Sequence, residues 1–210
     1  VSRSSPLLQI KDLRRLMIGP VSLGVEAGEC LCLSGPSGTG KSLLLRAIAD
    51  LDPHEGRVWL DGTACDAIAP AQWRCRVGLL PPDSSWWLPR AIDHFHDGQP
   101  LSLDSLGLAP GLLSEPVARL SSGERQRLAL LRLLANTPRV LLLDEPTANL
   151  DPASTLRVEA VLDEYRKTNR AAVIWVSHDP AQIARVANRH LRILGSELLE
   201  QDLEGDAWSH

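Results

Sequence analysis

Gly35-Pro36-Ser37-Gly38-Thr39-Gly40-Lys41-Ser42 is the stretch whose residue types and spacing are most specific for chemistry. Its glycines let the chain turn so that successive backbone N–H groups face one anionic oxygen cluster. An alternating apolar run, Leu31-Cys32-Leu33, leads into it, and the Leu- and Ala-rich segment Ser42–Ala49 leads out. That order, strand to loop to helix, adds the partial positive charge of a helix start at the same place. Lys41 can then reach the outer phosphates of a nucleotide, and the Ser42 hydroxyl can ligate Mg2+. The competing reading is a glycine-rich structural turn. Against it, a chance match at the four defining positions is on the order of one in a hundred for a chain of this length.

A phosphate loop needs an acid at the end of a neighbouring buried strand. Val140-Leu141-Leu142-Leu143-Asp144-Glu145 supplies two. Asp144 is placed to hold Mg2+ through water, and Glu145, one step on, to polarise an attacking water. A strand ending in Asp-Glu is weak evidence taken alone and strong beside the phosphate loop.

The elements that must carry these groups read as an α/β core. Glu29–Ser34, Val77–Leu80, Arg139–Leu143 and Ala171–Val176 are short continuous apolar runs, as expected of strands buried on both faces of a parallel sheet. Helical segments alternate with them: Ser42–Ala49, Glu124–Leu134, and Ala153–Lys167 with its apolar residues on a helical period. From Pro82 to Leu120 the chain changes character, with Pro82, Pro89, Pro100, Pro110 and Pro116 and only short apolar pieces, which predicts a lobe inserted between core strands. His190 to Glu200 reads as a hairpin around Gly195, with no regulatory domain expected after it.

Composition narrows the function. A formal net charge of -4 offers no general attraction to nucleic acid or to an acidic membrane surface. Val140–Leu143 and Ala171–Val176 are far shorter than the roughly 20 residues of a membrane-spanning helix, and Val1 to Ser5 does not read as a secretion signal. Cys30, Cys32, Cys65 and Cys75 form no CxxC pair and read as buried or incidental thiols of a reducing compartment.

The chain resembles the ATP-binding cassette family of ABC transporters, and five stretches in the family's order carry the resemblance. Besides the phosphate loop and the strand-end acids, Leu120-Ser121-Ser122-Gly123-Glu124 is similar to the family's signature loop. Pro146-Thr147-Ala148-Asn149-Leu150-Asp151 resembles the loop that touches the opposite protomer, and Ser177-His178-Asp179 the switch-histidine segment. The resemblance implies a P-loop NTPase core with a mainly parallel sheet, an N-terminal antiparallel β portion and a small helical lobe. The expected division is a single domain, 1–210, with core 1–81 and 132–210 and lobe about 82–131. It further implies an Mg-dependent ATPase with Glu145 and His178 catalytic, and with Gly35 to Leu43, Ser121 to Glu124 and Asp151 binding ATP. Mg2+ would be held by Ser42 and Asp144. Ser121 and Gly123 precede a helix beginning near Glu124, a second anion-suited helix start, so a second ATP held by another cassette is expected there. Asp151 also suits a helix N-cap before Pro152.

Three positions depart from the family pattern. Pro82 stands where a metal-ligating glutamine is usual, with Asp83 next to it as the candidate replacement, or as the cap of a turn. The segment Leu13-Arg14-Arg15-Leu16-Met17-Ile18 has no aromatic ring for adenine, leaving Arg14 or Arg15 to stack on the base. Leu43 follows the Lys-Ser pair in place of a threonine, and Glu124 replaces the commoner glutamine of the signature loop. Trp86 and Trp87 fall where the family's lobe receives a membrane subunit and serve either docking or packing; His94 and His96 read as solvent-exposed. The resulting expectation is the ATPase subunit of an ABC transporter, peripheral on the cytoplasmic face of the cell membrane. Its partners would be a second cassette, such as a copy of itself, and a separate transmembrane permease subunit, with no nucleic acid. The alternatives are a non-transport or degenerate cassette and an ordinary P-loop kinase; the signature loop and switch histidine argue against the kinase.

Overall fold

The computed structural model describes residues 5–96, 102–194 and 197–203. In chain order its regular elements are β1 (Leu8–Arg15), β2 (Ile18–Val25), β3 (Cys30–Ser34), α1 (Lys41–Ile48), β4 (Glu55–Leu60), β5 (Thr63–Ala64), α2 (Pro70–Arg76) and β6 (Val77–Leu80). After the lobe follow α3 (Ser122–Leu134), β7 (Val140–Asp144), α4 (Pro152–Asn169), β8 (Ala172–Val176), α5 (Pro180–Val186), β9 (Arg189–Leu194) and β10 (Glu197–Gln201).

The strands form two sheets. One has the order β10-β9-β3-β8-β7-β6, parallel from β9 to β6, with β10 antiparallel at its edge. The other, β2-β1-β4-β5, is antiparallel throughout. Every residue of β3, β7 and β8 is buried, which is why each reads as an unbroken apolar run. Side chains alternate across such a strand. Leu142 and Ile174 accordingly join α1 and the antiparallel sheet in one apolar cluster, while Leu141, Leu143, Val173 and Trp175 join α3, α4 and the lobe in the other.

The lobe has little regular structure before α3. It is built of 3-10 turns at Ala91–His94, Asp104–Leu106, Pro110–Ser114 and Val117–Arg119, with an antiparallel bridge between Arg90 and Pro116. Leu103, Leu106, Leu108 and Leu120 tuck into the cluster that α3 shares with the core. The end of α3 lies on β6: a Cβ on Gly78 would meet the Leu133 side chain, which would have to shift to make room. The expected boundary at residue 131 therefore falls inside a helix that starts in the lobe and finishes on the sheet. At the other end, Leu194 pairs with Glu197 in the expected hairpin; Gly195 and Pro100 lie outside the described residues.

Candidate functional site

β3 delivers the chain into the loop 35–40, and α1 leaves it at Lys41. The turn needs glycine twice for different reasons. Gly35 has φ 145, and a Cβ there would sit 2.7 Å from the carbonyl oxygen of Ile193 on β9. Gly40 has φ 93, and a Cβ there would overlap the side chain of Ile18 at the start of β2. Thr39 Oγ1 donates to Pro36 O at 2.9 Å and holds the loop closed on itself. Lys41 is buried at the helix start, and its ammonium donates to Gly35 O at 2.8 Å and Pro36 O at 2.9 Å. Burial lowers its pKa, while the carboxylates of Glu145 and Asp144 pull the other way, so both acids lie within electrostatic reach of the ammonium.

Asp144 ends β7 almost wholly buried, and burial raises its pKa. A hydrogen bond from Ser42 opposes that rise, the adjacent Glu145 charge adds to it, and Lys41 and His178 again lower it. The Ser42 hydroxyl, the Asp144 carboxyl and the Lys41 ammonium thus share one space. Glu145 leaves the strand with φ 50, an unusual backbone for a non-glycine residue, its N–H donating to Val176 O on β8 at 3.2 Å. The kink turns its side chain towards the loop after β8, where His178 Nε2 donates to Glu145 Oε1 at 3.0 Å. Two strand ends thereby carry an acid, a base candidate and an imidazole into contact.

Sequence reasoning missed what fixes those two strand ends together. Buried Gln182, on α5, donates to Thr147 Oγ1 at 2.9 Å and to Glu159 Oε1 at 2.8 Å, and accepts from Ser177 Oγ at 2.9 Å. Glu159 is gripped in turn by Arg185 through two hydrogen bonds of 2.9 and 2.8 Å. The network joins the loop after Glu145 to the loop before His178, so every buried polar group in it has a partner. No local sequence pattern signals it, because its members lie on two helices and two loops.

Ser121 caps α3 in a capping box: Glu124 N donates to Ser121 Oγ at 3.2 Å, and Ser121 N donates to Glu124 Oε2 at 2.8 Å. Gly123 rests on Leu150 and Asn149, which brings the signature-like turn beside the loop ending in Asp151. Asp151 is the N-cap of α4, accepting from Ser154 N at 3.0 Å, as its position before Pro152 predicts. Among the described residues, no hydrogen bond or ion pair joins Ser121 to Glu124 with the phosphate loop. The chain therefore presents two separate anion-suited helix starts on one molecule.

The departures resolve unevenly. Asp83 is exposed, and among the described residues it forms no hydrogen bond or ion pair with Lys41, Ser42 or Asp144. Pro81 O instead accepts from buried Gln126 at 3.3 Å. Arg15 is tied away from a base, donating to Pro53 O at 2.7 Å and lying 3.5 Å from Asp52. Arg14 is exposed, and beyond it the hairpin tip offers two apolar side chains, Leu16 and Met17, at 79% and 62% exposure. Because the next residue, Ile18, packs on Gly40, that tip stands alongside the phosphate loop.

The two tryptophans divide the roles between them. Trp86 is half-buried under the Arg132 guanidinium, 4.4 Å from its ring centroid, while Trp87 is 70% exposed. His94 corrects the sequence reading, which had it in solvent: its Nε2 accepts from the N–H groups of Trp87 and Leu88, both at 3.1 Å, and it lies edge-on to both indoles. Nδ1 must then carry the proton it shares with Arg90 O at 3.1 Å. Trp87, Leu88, His94 and Arg132 line a cleft of about 530 Å³ whose other wall is β6.

With this geometry in place, comparison with known proteins is informative. Residues 18–148 match the family described as ABC transporter. Protein STAR1 of Oryza sativa subsp. japonica is 39% identical over 94% of this chain, which spans 63% of that relative's length. ABC transporter I family member 17 of Arabidopsis thaliana is 33% identical, with 95% of this chain and 83% of the relative covered. The dimeric ATP-binding cassette MJ0796, bound to ADP and Pi in a post-hydrolysis state, superposes with TM-score 0.81 at 24% identity, covering 95% of this chain and all of that one.

Proposed function

The chain belongs to the ABC transporter family, and we propose that it is the ATP-binding, ATP-hydrolysing subunit of a transporter, energising transport through a separate membrane subunit by ATP-driven closure of a cassette dimer. The observation that carries this reading is the convergence of Lys41, Ser42, Asp144, Glu145 and His178 from three different elements into one space. The names of the relatives, which include the phosphate import ATP-binding protein PstB of Aeropyrum pernix, support it.

The residues present fit Mg2+: a buried carboxylate made reluctant to ionise by burial, hydrogen-bonded to a serine hydroxyl, is a hard-oxygen pair awaiting positive charge. Ser42 and Asp144 would hold the ion, which would neutralise charge on the outer phosphates. Backbone N–H groups of 35–40 and the start of α1 cradle the same oxygens. Lys41 exchanges the carbonyls of Gly35 and Pro36 for phosphate oxygens without leaving its place. Glu145 accepts a hydrogen bond from the attacking water and draws its proton as the oxygen closes on the terminal phosphorus. His178, already donating to Glu145 Oε1, holds that carboxylate and contacts the phosphoryl group. Leu16 and Met17 give the base an apolar platform in place of an aromatic ring.

The second helix start, Ser121 to Gly123, has no phosphate loop of its own chain to serve. A second copy would supply one, giving two ATP molecules sandwiched between two cassettes, with Asp151 at the seam. The cleft between Trp87 and β6 would dock the membrane subunit. Among the described residues no helix is long and apolar enough to cross a membrane. Placement on the cytoplasmic face therefore follows from the partner.

The test is phosphate release from ATP. The intact chain hydrolyses it with Mg2+ and stops when the metal is chelated, and Glu145→Gln lowers the rate by about 10² to 10⁴-fold. Hydrolysis undiminished in Glu145→Gln, or absent from the intact chain even with its membrane partner, contradicts the reading; the latter outcome favours a degenerate cassette.

A further inference from the structure

We infer that Glu124 is an internal competitor at the signature-like loop, a carboxylate that must release Ser121 before the terminal phosphate of an ATP held by a second copy of this chain can seat there. The inference rests on the sandwich reading above.

Its basis is the commitment of a single proton. Ser121 Oγ–H and Ser121 N–H both donate to Glu124 Oε2, each at 2.8 Å, while the hydroxyl oxygen accepts from Glu124 N at 3.2 Å. A serine hydroxyl has one proton to give, and here a carboxylate has taken it. An arriving phosphate oxygen needs that same proton and meets a full negative charge at the helix start that should attract it.

No cation touches that carboxylate: Arg127 lies near enough for its charge to act on Glu124, but its Nε and Nη1 donate to Gly123 O, Leu106 O and Ser154 Oγ, and Arg125 Nη1 donates to Leu120 O. Among the described residues Glu124 forms no ion pair. The donors on Ser121 hold the Glu124 carboxyl below the usual carboxylate range, so it stays charged where the protein works. Ser121 and Ser122 are exposed, which leaves the contact open to whatever approaches.

Glutamine at this position would keep the fold and remove the competition. Its amide oxygen can accept from Ser121 N, as a capping box requires, and its NH2 can donate to the hydroxyl oxygen. The hydroxyl proton is then free, and no charge faces the phosphate. Glutamate consequently raises the ATP concentration at which two cassettes close.

The experiment titrates ATP into Glu145→Gln and into Glu145→Gln/Glu124→Gln, reading dimer mass by light scattering at low and high salt. The double variant is expected to reach half-maximal dimer at about tenfold lower ATP near 0.1 M salt. The gap narrows near 1 M salt, as screening of a charge effect demands, while the thermal midpoints of the two stay together because the cap survives. Dimers from the double variant alone would also support the inference. An unchanged or higher half-point in a double variant whose parent dimerises overturns Glu124's role and leaves the sandwich intact. Two variants that both stay monomeric at every ATP concentration overturn the sandwich reading, and this inference with it.

Discussion

β6 is where two differently built regions meet. On its sheet side, β3, β7 and β8 are five-residue strands with no exposed position, clamped between two apolar clusters. On its other side, the described residues of 82–120 are built of short 3-10 turns, packed on the core through Leu103, Leu106, Leu108 and Leu120, and carry a second cluster of Trp86, Trp87 and His94 with Arg132. The proposed chemistry sits at strand ends of the first region, where neighbouring strands and the Gln182 network hold the loops after β7 and β8 together. The second region leaves Trp87 70% exposed, where the proposed membrane partner would dock. Rigidity is concentrated where atoms must meet to a fraction of an ångström, and a looser build serves where a partner supplies part of the shape.

The sharpest way to break this comparison is to move charge in both regions. Lys41→Ala should cost about 10² to 10³-fold in ATP hydrolysis. Asp83→Ala, just inside the looser region, should stay within about threefold by the same phosphate-release assay, because among the described residues the exposed Asp83 makes no hydrogen bond or ion pair with Asp144. A loss at Asp83 comparable to that at Lys41 would place the start of the lobe in the chemistry and erase the division.

Stability offers the next test. Leu142→Ala, in a fully buried strand position, should cost about 2–5 kcal/mol in urea unfolding. Leu112, only partly buried in a 3-10 turn, should cost about 1 kcal/mol or less on the same change. Equal losses would mean that the lobe is packed as tightly as the sheet.

A pH scan sharpens the core's side. His190 on β9 is buried, bonded to Ser34 Oγ at 2.8 Å, and its pKa is lowered by burial and then by Arg192. The unfolded chain binds a proton there more readily than the folded one, so this stabilisation is complete above the ordinary histidine pKa and is lost as pH falls through the lowered one. Asp144 has the opposite sign: its raised pKa favours the folded chain at low pH and costs stability as pH rises through it. The His190 contribution to the thermal midpoint should therefore be lost as pH falls from about 7 towards 5, and His190→Gln should remove that part of the slope. An unchanged slope would remove His190 from the account. A comparably small effect is expected where α3 meets the lobe, since Arg132→Ala removes a cation lying over two indoles and should cost about 1 kcal/mol. A shift in tryptophan emission would report it.

Sequence legibility divides along the same line. That Lys41, Ser42, Asp144 and Glu145 come together could be read because each is placed by spacing within one strand-loop-helix or one strand end. β3, β6, β7 and β8 could be read because burial on both faces leaves an unbroken apolar run. β1 and β2 are not legible residue by residue, since register shifts between Ile10 and Leu13 and again before Arg15 break their alternation. Neither α2, whose one buried side chain is Trp73, nor α5, with two, carries a helical period. The Gln182 network joins residues 35 positions apart, and nothing local announces that contact. His94 was misread for a similar reason: its partners are backbone N–H groups of a loop, which no residue pattern encodes.

The central claim is that the site at the strand ends is half of a composite one, completed by a second copy's signature-like loop. Solution mass of Glu145→Gln by light scattering after gel filtration, with and without Mg-ATP, tests it most directly. A monomer that becomes a dimer only when ATP is present is the predicted result; a mass that stays monomeric at saturating ATP, in a chain shown to bind the nucleotide, would contradict it.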